Sequence, residues 1–261
     1  MKIFPIMVTG TLLFLTSCNA NEQANNDKVS ADSNQVQVQA EQTTNKPAAS
    51  QDNTNSEWIA DVKNQLKMQE AVLPQTVPVA TGNYVAVNID DNTDESYNVS
   101  FYSSETKRDI NDPSLTSNEN VQPLAKFLAN VNSEASNTFP TFNEKDIPED
   151  MSVDLGYGIK GMVEGAAGST YLQWKEGRWV MQVKTVSADN RDIEAIGKEM
   201  VEYLESHSLP APNDNGFVEV SYPAGEANAE TRIIWEDGDT IYELTTTGKP
   251  VDALEMAVSV E

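Results

Sequence analysis

The chain has one cysteine, Cys18, and one histidine, His207, among the side chains that most often act as nucleophiles, bases or metal ligands. A structural zinc site needs several nitrogen or sulfur ligands, which these two residues do not supply. Counting residues leaves a Ser-His-Asp site open, but no Gly-x-Ser-x-Gly motif marks a nucleophile. His207 follows a predicted helix, where a polar side chain interacts favourably with the helix dipole. We therefore predict no catalytic residues, no metal and no cofactor.

Cys18 ends a short apolar segment, in the run Leu-Thr-Ser-Cys. This run resembles the lipobox of bacterial lipoproteins. The resemblance implies that residues 1–17 are a signal peptide and that the thiol of Cys18 receives a diacylglyceryl group. The alternatives are a secretory signal that is cut elsewhere and a membrane-spanning helix. A spanning helix needs about 20 apolar residues, whereas this segment is shorter and contains Pro5 and Gly10. Because two acyl chains anchor a protein stably, we expect a lipid-anchored protein on the extracytoplasmic face of the cell membrane.

The chain is strongly acidic, with 41 acidic and 17 basic residues and a formal net charge of −24. Nucleic acid is an unsuitable partner, because phosphate binding depends on clustered lysine and arginine. Anionic lipid headgroups would repel the acidic body of the protein. The predicted acyl anchor would therefore be what holds the protein at the membrane. Residues 18–55 contain almost no large apolar side chains. We predict that they form a disordered tether, since they cannot bury enough apolar surface to offset the entropy of folding.

Residues 56–261 are predicted to form the folded part, and they contain an internal repeat. Residues 171–181 align with residues 232–242 at an offset of 61 residues, and each copy places a turn glycine, Gly177 or Gly238, between two strands. A helical pattern follows each hairpin. We therefore predict an α+β fold in which an antiparallel sheet carries helices on one face and is built from repeated strand-strand-strand-helix units.

A third, degenerate copy is predicted nearer the N terminus. There, the extended runs 84–89 and 97–102 are followed by apolar residues at helical spacing: Val121, Leu124, Phe127, Leu128 and Val131. About 205 ordered residues are compatible with a single domain, and a division near residues 135–150 is the alternative.

Two local patterns have a chemical and a structural interpretation. Residues 156–161 match the sequence pattern of a dinucleotide-binding motif. No clear helix follows them to hold a pyrophosphate. We therefore interpret the glycines as residues that allow bends in a pair of strands. The acidic stretches 90–95 and 236–239 could bind calcium weakly through oxygen, yet neither has EF-hand spacing. Solvated turns of an acidic protein explain both stretches.

An aromatic set in the repeat is the candidate ligand or partner surface: Trp174, Trp179, Trp235 and Tyr242. Such rings could line a groove for a sugar or a lipid. Alternation along the strands instead places some of them in a core, and we favour the core.

The C-terminal pattern that begins Trp235-Glu-Asp-Gly and ends at residue 259, with the proline-rich stretch from Leu73 to Gly82, resembles uncharacterised domains in Firmicute-type envelope lipoproteins. The resemblance covers roughly residues 70–261, and it implies an envelope location and no catalytic residues. We expect a non-enzymatic interaction module that engages another envelope protein or the cell wall. The alternative is a carrier or sensor for a small apolar or lipid-like ligand, which would require an apolar concavity.

Overall fold

The computed structural model describes residues 57–117, 121–131 and 139–261. The predicted signal peptide, Cys18 and the predicted tether lie outside the described residues. Within the described ranges the chain forms ten strands and three α-helices. Their bounds are α1 (Glu57–Gln65), β1 (Tyr84–Asn92), β2 (Ser96–Ser104), β3 (Ala125–Val131), β4 (Ser152–Gly156), β5 (Ile159–Ala166), β6 (Ser169–Glu176), β7 (Trp179–Val186), α2 (Ile193–Leu204), β8 (Gly216–Ser221), β9 (Ala229–Asp237), β10 (Thr240–Gly248) and α3 (Pro250–Val258).

All ten strands belong to one sheet, in the order β1-β2-β3-β10-β9-β8-β7-β6-β5-β4. Neighbouring strands are antiparallel except β7 and β8, which are parallel. A parallel pair needs a crossover connection, and α2 supplies it. Since β3 pairs with β10, strands from both sides of residues 135–150 are neighbours in the same sheet.

The predicted fold class is wrong. The described residues form a mostly β structure with one large ten-stranded mixed sheet, so an α+β fold built from strand-strand-strand-helix repeats is not shown. The predicted third copy of the repeat shows one physical reason why the fold class was wrong. Residues 125–131 form β3 rather than a helix, because Ala125, Phe127 and Ala129 alternate into the core while Lys126 and Asn130 stay exposed.

The three helices pack on one face of the sheet, which we call the helix face. Side chains from all three helices join strand residues in one buried cluster, with Val62 from α1, Met200 from α2 and Leu254 from α3. Val62 of α1 and Leu66, the first residue after the helix, are both buried in this cluster. This cluster forms the main core of the domain.

The opposite face, which we call the outer face, carries a smaller apolar patch on four neighbouring strands: Val180, Phe217, Ile234 and Ile241. Phe139 and Phe142 pack against this patch. The segment that contains them therefore covers part of the outer face and leaves the adjoining rows of side chains uncovered.

Gly216 allows a close approach between β8 and the ring of Trp179. A Cβ atom at this position would lie 2.4 Å from Cε3 of Trp179, far closer than van der Waals contact. Trp179 is 6% exposed, so its rigid ring has little room to move. We expect Gly216→Ala to lower the free energy of unfolding by about 1 to 3 kcal/mol, the usual cost of overpacking a core.

Urea unfolding of Gly216→Ala beside Gly165→Ala checks this expectation. A Cβ atom at Gly165 meets no heavy atom within 4 Å, so the control changes the same chemical group without a clash. Equal stability of the two variants would show that the Trp179 ring yields without cost.

Candidate functional site

The aromatic set predicted as a ligand or partner surface lies largely in the core. Trp174, Trp179 and Trp235 are 0%, 6% and 2% exposed, and Tyr242 is partly buried. The ring centroid of Trp235 lies 6.2 Å from that of Trp179 and 5.3 Å from that of Tyr242. Burial raises the pKa of the Tyr242 phenol. The structure thus brings three of the four rings together, but as packed interior.

Two of the buried tryptophan nitrogens, those of Trp174 and Trp179, have hydrogen-bond partners inside the protein. Trp174 donates from Nε1 to Oε1 of Glu176 at 2.9 Å, and Trp179 donates from Nε1 to the carbonyl of Pro210 at 3.1 Å. Burial raises the pKa of the Glu176 carboxyl. These bonds satisfy polar atoms that would otherwise be costly to bury. They indicate a structural role for the two indoles.

The glycine-rich stretch forms a hairpin tip. Gly156, Tyr157 and Gly158 all have positive φ, at 92°, 53° and 84°, and β5 follows them instead of a helix. No helix N terminus is therefore present there to hold a pyrophosphate. The stretch turns the chain between β4 and β5.

The acidic stretches and His207 make local contacts. Asp91 accepts a hydrogen bond from Oγ of Ser96 at 2.6 Å, and the stretch 236–239 spans the turn from β9 to β10. Among the described residues, no three His, Cys, Asp or Glu side chains converge in a metal-binding arrangement. The His207 ring stacks on Tyr203 with centroids 4.2 Å apart, just after α2.

A row of polar side chains crosses the outer face beside the apolar patch, and we call it the polar row. Its members occupy directly paired positions on six neighbouring strands: Gln173, Gln182, Glu219, Arg232, Thr245 and Lys126. Lys126 is exposed and the other five are half-buried. Adjacent strands lie about 4.8 Å apart, so the row spans roughly 24 Å.

Hydrogen bonds order much of the polar row. Gln173 donates from Nε2 to Oε1 of Gln182 at 2.7 Å, and Gln182 donates from Nε2 to Oε1 of Glu219 at 3.3 Å. Arg232 donates from Nη2 to Oε2 of Glu243 at 2.8 Å. This bond raises the pKa of the Arg232 guanidinium above its ordinary value. Four of the six side chains in the polar row are therefore held in place by hydrogen bonds.

A groove of about 670 Å³ lies over one half of the polar row. Lys126, Arg232 and Glu219 line it, Thr247 extends it along β10, and residues 122–124 border it. Such a lining offers both charges together with hydroxyl donors and acceptors.

The sequence contains only part of the signal for this groove. Around Glu219, the alternation of Val218 and Val220 with polar neighbours predicts a strand with one polar side. Which polar side chains meet across strands depends on sheet order. Glu219 and Arg232 become neighbours only because β8 pairs with β9 in one particular register.

No family model, curated protein or solved structure matches this chain. Within the described ranges, no helix is both long and apolar enough to cross a membrane. The geometry of the groove and the sequence around Cys18 are therefore the features from which a function is inferred.

Proposed function

We propose that this protein is a non-enzymatic interaction module of the bacterial cell envelope, anchored by lipid on Cys18 at the extracytoplasmic face of the membrane. The groove on the outer face is the binding surface, and its partner is another envelope protein or the cell wall. The groove is the main observation that supports the proposal, because it combines an open surface with an ordered row of charged and polar side chains.

The filled interior supports an interaction module over a carrier for an apolar ligand. A carrier would require an apolar concavity, and the tryptophans that would best line one are packed in the core. The groove instead offers Lys126 and Arg232 beside the carboxylates of Glu219 and Glu230. Complementary charges of both signs fix the register of a partner more than they add affinity.

The net charge favours partners that are neutral or basic. A chain with a formal charge of −24 repels acidic molecules at long range and attracts basic ones. Lys126 is exposed and has no ion-pair partner among the described residues, so its ammonium group is available to a carboxylate of the partner. Reversal of this charge should weaken binding without disturbing the fold.

Site-specific photocrosslinking in the native envelope tests the proposal. A photoreactive amino acid at Thr247, exposed at the groove, should give a discrete adduct, whereas the same group at Glu202 on α2 should not. Lys126→Glu should lower the yield at Thr247 about tenfold, the change expected from loss of one charged contact.

Lys160→Glu is the matched control, because it makes the same charge change on the exposed surface of β5, away from the groove. Adducts of equal yield at Thr247 and Glu202 would contradict the proposed surface. Equal loss in the two lysine variants would show a general charge effect.

A further inference from the structure

A second cleft, separate from the groove on the outer face, lies between α1, the edge strand β1 and residues 107–110. Its volume is about 620 Å³, within the range of roughly 300 to 1,000 Å³ that small-molecule sites occupy. Asn111 holds the adjoining segment against β1: its backbone N–H donates to the carbonyl of Val87 at 3.0 Å, and its Oδ1 accepts from the N–H of Ile89 at 2.7 Å. One wall of the cleft is therefore fixed.

Polar side chains without internal partners converge on this cleft. Asp61, Asn64 and Gln65 have the i, i+3 and i+4 spacing that places them on one side of α1. Tyr84 of β1 and Asp109 of the loop join them. None of these five side chains has a hydrogen-bond or ion-pair partner among the described residues. Together they present acceptors, amide donors and a phenol hydroxyl to one volume.

The charges that line the cleft cancel. Asp61 and Asp109 contribute two negative charges, and Lys107 and Arg108 contribute two positive ones. Arg108 also lies 3.6 Å from a carboxylate oxygen of Asp112. The lining therefore has no excess of either charge that would select an anion or a cation. It suits an uncharged ligand that forms many hydrogen bonds.

Two aromatic rings also line the cleft, together with Val85 and Ile110. Trp58 is partly exposed, and its indole packs edge-on against Phe101 with centroids 5.3 Å apart, which fixes the ring. Tyr84 is 37% exposed. Flat aromatic faces bury apolar surface while adjacent polar groups stay hydrated. A sugar ring has this dual character, with C–H groups on its faces and hydroxyls at its edge.

We infer that the cleft between α1 and β1 binds a neutral saccharide. The ring of Trp58 packs against a face of the sugar, and Asp61, Asn64 and Gln65 bond its hydroxyls. The site is independent of the groove on the outer face, so either proposal can fail alone.

Tryptophan fluorescence of the full-length lipoprotein in detergent tests the inference directly. The other three tryptophans are at most 6% exposed, so Trp58 is the indole that a bound sugar would reach. Titration with diacetylchitobiose, cellobiose and maltose should give a saturable change with at least one of them. Trp58→Phe should remove this optical signal while calorimetry still detects binding, since a ring remains.

The double variant Asp61→Ala, Asn64→Ala should lower the affinity at least about tenfold, because two unpartnered groups that bond the sugar are lost. Both positions are exposed, so folding should be intact. Glu202→Ala, which removes an exposed carboxylate from α2 away from the cleft, is the matched control and should bind normally. Absence of saturable binding of all three sugars by both methods would overturn the inference, as would an equal loss in Glu202→Ala.

Discussion

Replacement of Trp174 or Trp235 by alanine is expected to lower the free energy of unfolding by about 3 to 5 kcal/mol. Both indoles are fully or almost fully buried in the cluster between the sheet and the helices. Truncation leaves a cavity and removes the ring contacts that Trp235 makes with Phe127 and Tyr242. A loss of this size is a large share of the 5 to 15 kcal/mol that stabilises a typical domain.

Thermal unfolding should show the effect clearly. For a domain of this size each kcal/mol shifts the melting temperature by roughly 2 to 4 °C, so shifts of about 6 to 20 °C are expected. Tyr157→Ala is the control, since this tyrosine is 66% exposed at a hairpin tip and should change stability little. Unchanged melting of both tryptophan variants would refute their assignment to the core.

The hairpins that carry these tryptophans could be predicted from sequence. Gly177 and Gly238 both adopt φ of 59° at the tips of the β6–β7 and β9–β10 hairpins, which is a conformation that glycine adopts readily. The turn chemistry and the apolar runs on either side are local features. Sequence reasoning detects such features because they depend on neighbouring residues alone.

Sheet order could not be predicted in the same way. The parallel pairing of β7 with β8 and the insertion of β10 between β3 and β9 depend on contacts between distant residues. For β3, the spacing from Val121 to Val131 indicated a helix, and tertiary packing overrode that pattern. The assignment of an α+β fold failed because it extended local hairpins into a global architecture.

The candidate sites also separate into features that depend on neighbouring residues in the sequence and features that depend on sheet order. The polar row exists only in the final register, so neither Gln182 nor Arg232 could be singled out in advance. The cleft between α1 and β1 joins residues 61–65 to residues 107–110, which lie far apart in the chain. By contrast, the predicted acyl acceptor Cys18 depends on a contiguous motif, which sequence alone can present.

Replacement of Cys18 by alanine is expected to abolish lipid attachment completely, because the thiol is the predicted acceptor of the diacylglyceryl group. Without two acyl chains the protein loses a stable anchor. The acidic body adds no attraction to anionic headgroups. We expect the variant to be released from the membrane or to persist as an uncleaved precursor.

Metabolic labelling with palmitate, combined with mass spectrometry of the N terminus, measures this outcome. Ser17→Ala is the matched control, because it keeps a small residue before the cysteine and should be labelled normally. The melting temperature of Cys18→Ala should equal that of the wild type, since the predicted tether between residue 18 and the folded part contributes no core. Palmitate that remains on the Cys18→Ala variant would place the anchor elsewhere and contradict the lipoprotein prediction. Loss of the label with an unchanged melting temperature would support an anchor that is separate from the folded domain.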